Sequence, residues 1–481
     1  MEGLEMYINV NQFSDAICDS DMIQAAVDAA EIIGQSVLIP RINPRTGQPR
    51  WDITKTILLP SNCVILLQNC YMRLADGAIC GIFKNRNVGT ENSGSLDKRQ
   101  ENITIRGIGH VVLDGGEHNG IYEHNGIARK VMKKSKHSPI ENCMFHFHNV
   151  QHLTIDGLTF RNQRYWAIFL SLTSYSHISN IRFESEGNVP NQDGLDIRGG
   201  CHDIIVENIS GCVGDNLIAL CSLGVHKEKG TGDIYNITVR NVVGYGVGGC
   251  ALIRMLNHDG NKIYNIYIDT VIESSQWSEN DAALAPNPDL LVKTDDEGNI
   301  IPWKKIKPGE YGYRIVSLIQ IGELYWFSKT RAEHGDTYGI TVKNVMTHAR
   351  FALEVNNTLM DSTFENIRIF GDGYMTAYFG KGKIENVHLR NVTYDRDCQP
   401  KAEDEQIDVE WNDTHTDGYH CVAFNGTNVK NLVVDGLYCS TEGNKMAAVF
   451  GGHGSGNVYI KGIQHESVPM LSEAEGIEFV L

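Results

Sequence analysis

From about residue 100 onward the chain repeats one theme: a short run rich in Val and Ile, often carrying Asn, then Gly or Asn at a corner. NITIRGIGHVVLDGG (102–116), HLTIDGLTF (152–160), HISNIRFES (177–185) and HDIIVENIS (202–210) begin the series. DIYNITVRN (233–241), KIYNIYIDT (262–270), GITVKNV (339–345), TFENIRIF (363–370), KIENVHLRNV (383–392) and VKNLVVDGL (429–437) continue it. The early runs lie about 25 residues apart, a period that belongs to stacked repeats rather than to a sandwich of hairpins. Alternating Ile and Val within each run fit strands with one buried face. No helical stretch alternates with the runs, which excludes a doubly wound sheet. Asn suits left-handed backbone at the corners and can stack there as a ladder. The expected fold is all-β, a solenoid of short parallel strands.

A solenoid also explains the length. A chain of 481 residues exceeds what one ordinary core organises, whereas each added coil extends a continuous core. The whole of 1–481 is therefore expected to be one domain, with residues 1–100 forming an N-terminal cap and the first rungs. The 48 glycines suit many tight turns. Within the cap, SDMIQAAVDAAEII (20–33) has helical apolar spacing, with Ser20 or Asp21 as its N-cap. Such a helix would cover the open edge of the first rung. Residues 275–311 interrupt the repeat with a long insertion that would wall a cleft. Residues 117–140 (with a basic run) and 397–419 (acidic) are further interruptions, read as solvated loops.

The net charge of −17 argues against nucleic-acid or anionic-membrane partners. It argues mildly against a long polyanionic substrate too, unless local basic patches override the total. No apolar run is long enough to span a bilayer, and the first residues show no secretory pattern, so a cytoplasmic location is expected. The 12 Cys lack paired spacing and read as free thiols near a packed interior, among them Cys201, Cys212, Cys221 and Cys250.

Within the repeat, NQDGLDIRGGCHDIIVENISGCVGDNLIAL (191–220) carries the chemistry. Asp193 and Asp196 precede Asp215 and Asn216 by about one repeat. In a coil that advances ~4.8 Å per turn, that spacing stacks the acids on neighbouring rungs. Two carboxylates on a rigid surface are the minimum equipment for breaking a glycosidic bond. Crowded acids cannot all ionise cheaply, so one keeps its proton and can act as acid.

These residues resemble the polygalacturonases, family 28 of the glycoside hydrolases. The family's order is Asn-x-Asp-Gly-x-Asp, Gly-Asp-Asp, a Gly-His-Gly rung, then Arg-Ile-Lys. Asn191, Asp193, Gly194 and Asp196 match the first element, with Gln192 where Thr is usual. Gly214 and Asp215 match the second, and Asn216 replaces its last Asp. The third element is missing: VGGCALIRML (247–256) has Gly249 in the His position and offers Arg254. The fourth is partial, with Gly312, Arg314 and Ile315 kept but Val316 in place of Lys. The stretches 143–169, VVLDGG (111–116) and IQAAVDAA followed by VLIPR also resemble the family. The similarity is specific over most of residues 5–270 and only architectural beyond.

The resemblance implies a right-handed parallel β-helix that hydrolyses an oligosaccharide with inversion. It implies Asp215 as general acid and Asp193 as base, with Asp196 an alternative or auxiliary base. Asn216 cannot be a base but can orient water or a sugar hydroxyl. The missing His and Lys imply a different sugar at the cleavage point, with Arg254 and Arg314 able to grip an acidic group. Asn191, Asn216, Arg254, Arg314 and Trp166 are the substrate-binding candidates. Trp303, Tyr311 and Trp326 are further stacking candidates, although packing is the favoured reading of each aromatic alone. His146 and His148 share a strand face without a third ligand at evident spacing, so neither metal nor other cofactor is expected. His334 and His453 read as loop residues. A lyase or epimerase on the same scaffold is the enzymatic rival. A non-catalytic carbohydrate-binding or tailspike-like β-helix is the other, and homo-oligomerisation is left open.

Overall fold

The computed structural model describes residues 7–116, 138–185, 191–223, 232–246, 251–274, 293–294, 300–301, 317–322, 331–349, 351–370, 375–395, 420–440, 448–466 and 470–481. The fold is the expected right-handed parallel β-helix. The chain groups into two compact units, Met1–Ile218 with two short later segments, and a second that includes Ala219–Tyr245 and Arg314–Leu481. The expected insertions lie almost entirely outside the described residues; within 275–311, Lys293–Thr294 pairs antiparallel with Ile300–Ile301.

From Phe145 on, each coil of the first unit supplies a short strand and then a long one. Phe145–His148 pairs in parallel with Ile168–Ser171, which pairs with Leu195–Arg198. Val150–Arg161 pairs with Ser174–Glu184, and that strand with His202–Val213. Register is kept residue for residue, so equivalent side chains stack: Ile155 on Ile178 on Val206, and Phe160 on Phe183. Phe83, Phe145, Phe160 and Phe183 form a buried aromatic run with centroids 5.0–5.7 Å apart. Interdigitated rings of this kind exclude water from the axis of the coil.

The N-terminal helix spans Asp19–Ile33 and ends at Gly34 in left-handed conformation (φ 68°). It buries Met22, Ile23, Ala26, Val27 and Ala30, the spacing that had predicted it. The expected caps are corrected: Cys18 occupies the N-cap position, without a side-chain capping bond. Ser20 instead accepts hydrogen bonds from the backbone of Thr54 and Lys55, at 3.0 and 3.2 Å. Asp19 accepts from Asn43 and from the Asp52 amide, at 2.7 and 2.9 Å. These polar groups tie the helix to the first coils, where their loop donors would otherwise go unsatisfied.

The second unit repeats the plan. Ser317–Ile321, Phe351–Val355 and Met375–Phe379 stack as short strands, and Thr337–Thr347, Leu359–Phe370 and Lys383–Asp395 as long ones. Tyr235, Tyr264 and Tyr338 stack with ring centroids 5.0 Å apart. Asn344, Asn366 and Asn391 all have φ near +50° and pass amide hydrogen bonds up the corner, 2.8 and 3.2 Å long. In the first unit Asn180 and Asn208 do the same at 3.0 Å. The expected asparagine ladders are real, because Asn tolerates the left-handed corner and its amide reaches the coil above.

The two kinds of strand differ in burial. The long strands alternate, as in His202–Val213. Ile168–Ser171 and Leu195–Arg198 are buried at every position, on both faces. In the first unit these two short strands, the second of which carries Asp196, are thus covered, whereas Phe145–His148 alternates. Among the described residues no helix is long and apolar enough to cross a membrane.

Candidate active site

Backbone bonds lock the turn before Leu195–Arg198 to the coils on either side. The Ala167 amide donates to the Asp193 carbonyl at 3.0 Å, and the Gly194 amide to the Asn216 carbonyl at 2.9 Å. Gly194 has no room for a β-carbon, which would lie 2.6 Å from the Leu217 carbonyl oxygen and 2.9 Å from the Phe183 ring. Gln163 holds the same turn through its side chain, donating to the carbonyls of Gln192 and Asp193 at 3.1 Å each. Gln192 returns a bond to the Gln163 carbonyl at 2.9 Å, and Ser185 donates to the Gln163 side-chain oxygen at 2.7 Å. Asp193 is therefore held on a buried frame of amides, a requirement for a preorganised site.

The structure brings Asp193 and Asp215 together. The Asn216 side-chain nitrogen donates to Asp193 Oδ2 at 2.9 Å and to Asp215 Oδ1 at 2.8 Å. Two carboxyls from successive coils thus share one amide. Asn191, in left-handed conformation (φ 58°), reaches Asp215 Oδ2 at 3.5 Å. Asp193 is 2% exposed, whereas Asp215 is half-buried. Asp193 Oδ1 and Asn216 Oδ1 are buried without a hydrogen-bond partner among the described residues.

Burial, then the charges of Asp215 and Asp196, push the Asp193 carboxyl well above the usual carboxylate range. The Asn216 amide and the Arg198 guanidinium oppose that rise without cancelling it. Asp196, fully buried, is met by Arg198 Nη2 in a close ion pair. Arg198 also lies 4.0 Å over the Trp166 ring. Charge and ring together hold a cation beneath the acids.

Arg198 was not singled out from the sequence, although a signal existed: two residues beyond Asp196 on a strand, it must share its face. Gln163 and Gln192 were also missed, since mutual recognition of two turns is visible only once the coils are in register. Trp166 requires a correction. It is 3% exposed and packs in a cluster with Ile140, Cys143, Tyr165 and Phe169. Tyr165 stacks on it at 4.6 Å. With Tyr165 and Arg198 against it, its ring is not a platform for sugar.

His146 and His148 do share a face. His148 Nδ1 lies 2.6 Å from the Ser171 hydroxyl, and His146 stacks on Phe169 at 4.4 Å. Burial, with His148 and Lys84 nearby, pushes His146 down to about 3, so it is neutral at any ordinary pH. Lys84, His146, Phe169 and Asp196 occupy one column of the short-strand sheet.

Arg254 belongs to the second unit, where it is in register with Gln320, and Gln320 with Glu354. Glu354 is fully buried and accepts from Gln320 at 3.1 Å and from Ser317. His334 pairs with Glu385 at 2.9 Å, and His453 is exposed. Arg314, Trp303, Tyr311 and Trp326 lie outside the described residues. Cys201 and Cys221 are buried free thiols and Cys212 a half-buried one; Cys250 lies outside the described residues.

No protein-family model matches this sequence, and no curated protein matches it either. Solved structures do. A tailspike protein of E. coli bacteriophage HK620 is 12% identical with a TM-score of 0.53, over 98% of this chain and 78% of that one. PfbA, a surface adhesin of Streptococcus pneumoniae, is 13% identical with a TM-score of 0.51, over 99% and 93%. An exopolygalacturonase from Thermotoga maritima is 14% identical with a TM-score of 0.46, over 80% and 92%. At these identities the likeness to the first two shows the fold alone.

Proposed function

We propose that this protein hydrolyses a glycosidic bond in an oligosaccharide, using the Asp193–Asp215 pair. The observation that carries this reading is the shared amide of Asn216, which holds two carboxyls of successive coils against each other. A pair so placed resists losing both protons and divides into an acid and a base. One carboxyl gives its proton to the leaving oxygen while the other takes a proton from the attacking water. Burial favours Asp193 as the holder of the proton and leaves the part of the base to Asp215, which is only partly buried. That order is the reverse of the one the polygalacturonase resemblance implies. Arg198 neutralises Asp196, so the third acid is occupied in the resting protein. Inversion rests on the resemblance alone, since carboxyl oxygens 2.9 and 2.8 Å from one amide nitrogen stand closer than the ~6.5–9.5 Å of an inverting pair in the resting protein; the substrate is a pectic or related oligosaccharide.

The test is a panel of pectic and neutral oligosaccharides with the product's anomeric configuration followed by NMR. Wild type yields a new reducing end of inverted configuration, and Asp215→Asn yields none while keeping its circular dichroism. An unsaturated product absorbing in the ultraviolet would replace this reading with a lyase. A second reading, a glycan-binding module without turnover, draws on the burial of Asp193 and Asp196. It predicts undiminished glycan binding in Asp215→Asn and no product from wild type.

A further inference from the structure

A cavity of about 670 Å³ opens in the first unit against the strands Arg50–Ile53 and Tyr71–Leu74 and the end of Val150–Arg161. Its lining includes none of Asp193, Asp196 and Asp215, which lie in or just after the turns that close the next two coils. Its volume is within the ~300–1,000 Å³ of small-ligand sites. Its wall is cationic in a chain of net charge −17: Arg41, Arg50 and Arg161 line it, against the single carboxylate of Asp52.

The arginines are not equally engaged. Arg50 pairs with Asp52 at 3.0 Å and Arg161 with Glu184 at 2.8 Å. Both guanidiniums remain substantially exposed, and such pairs hold weakly and exchange readily for a ligand's anion. Arg41 is exposed and has no ion-pair or hydrogen-bond partner among the described residues. Tyr71 adds a ring to the wall, its hydroxyl already donated to Asp114 at 2.8 Å. Guanidinium forks recognise planar or tetrahedral oxyanions in bidentate fashion, and a ring beside them suits the apolar face of a sugar.

We propose that this cavity binds a short oligosaccharide bearing an anionic group, with Arg41 as its principal anchor and Arg161 as the second. The site is separate from the acids and independent of the hydrolysis proposed above. It is a local cationic patch that admits an acidic glycan to an otherwise anionic protein.

The test is calorimetric titration of the full chain carrying Asp215→Asn, so that no probe is consumed. The probes are cellobiouronate, its neutral counterpart cellobiose, and inorganic sulfate. The expected result is saturable binding of cellobiouronate, at least tenfold weaker for cellobiose and for sulfate. Arg41→Ala, which breaks no ion pair among the described residues, should weaken cellobiouronate about tenfold, and Arg41→Glu should abolish it. Placed in the wild-type background, Arg41→Ala should leave any turnover unchanged, so failure here and failure of the hydrolase reading are distinguishable. Equal affinity for the acid and neutral sugars, or an unaffected Arg41→Ala, would overturn the proposal. So would sulfate binding as tightly as cellobiouronate, which would make the cavity an anion site with no part for the sugar.

Discussion

Two columns of charge in this molecule follow opposite rules. On the long strands of the second unit, Arg240, Asp269, Lys343, Glu365, Arg390, Asp435 and Lys461 stand in register on successive coils, alternating in sign without exception. The first unit has a shorter version: Asp52, Arg73, Asp114, Arg161 and Glu184. The covered side of that unit instead crowds Asp193, Asp196 and Asp215, with Arg198 and Asn216 as partial compensation. Stacked like charges ~4.8 Å apart repel by roughly 3 kcal/mol at a surface-like effective dielectric. A coil fold meets that problem at every position, and alternation is its inexpensive answer. Where the rule is broken, and two of the three acids are buried, the protein retains a destabilising arrangement, which is a mark of function.

The comparison can be broken from either side. The largest effect is expected at the acids: Asp193→Asn and Asp215→Asn should each lower turnover by about 10³-fold or more, read from initial rates on a cleaved oligosaccharide with secondary structure unchanged. Next comes the alternating column. Lys343 lies 3.2 Å from Glu365, and Lys343→Glu would set three like charges on consecutive coils. It should destabilise by about 1–2 kcal/mol in urea unfolding at low salt, with the loss shrinking in added salt. Lys343→Ala should cost under about 1 kcal/mol. If reversal costs no more than truncation, the alternation has no energetic role.

A smaller effect has a sign that distinguishes the two columns. A carboxyl raised above its unfolded value binds more protons folded than unfolded, so it erodes stability as pH rises from the ordinary carboxylate range toward its folded pKa. Asp193→Asn should therefore raise the melting temperature at neutral pH, with the gain fading as pH falls toward 4. A lower melting temperature at neutral pH would show that the acids are net stabilising. At the corners, Asn366→Ala should cost about 1 kcal/mol, by forcing Ala into the left-handed conformation and breaking two ladder bonds. Asn366→Gly should cost less, because Gly accepts that backbone conformation. Urea denaturation of the pair separates backbone strain from the amide bonds.

What could be read from the sequence was whatever depends on local chemistry. The corner asparagines, the alternating Val and Ile, and the amphipathic helix are set by residues a few positions apart, so 20–33 anticipated Asp19–Ile33 closely. The acids were legible because their spacing matches one coil. The cap of the helix was not, because Ser20 and Asp19 are drawn into long-range bonds with the first coils. The support of Arg198 by Trp166 was hidden in the same way, since it joins two coils across a turn. The alternating column was hidden most deeply: Asp269 meets Lys343 only after an insertion of unreadable register. Trp166 shows the reverse error, an aromatic that composition offers to solvent and packing places inside.

The most direct measurement is a pH titration of the Asp193 and Asp215 carboxyl carbons by NMR, in wild type and in Asp215→Asn. Asp193 is expected to remain protonated well above the ordinary carboxylate range, and removing the Asp215 charge to lower its transition without restoring it fully. Two carboxyls that both titrate near 4, with Asp193 indifferent to the substitution, would contradict it.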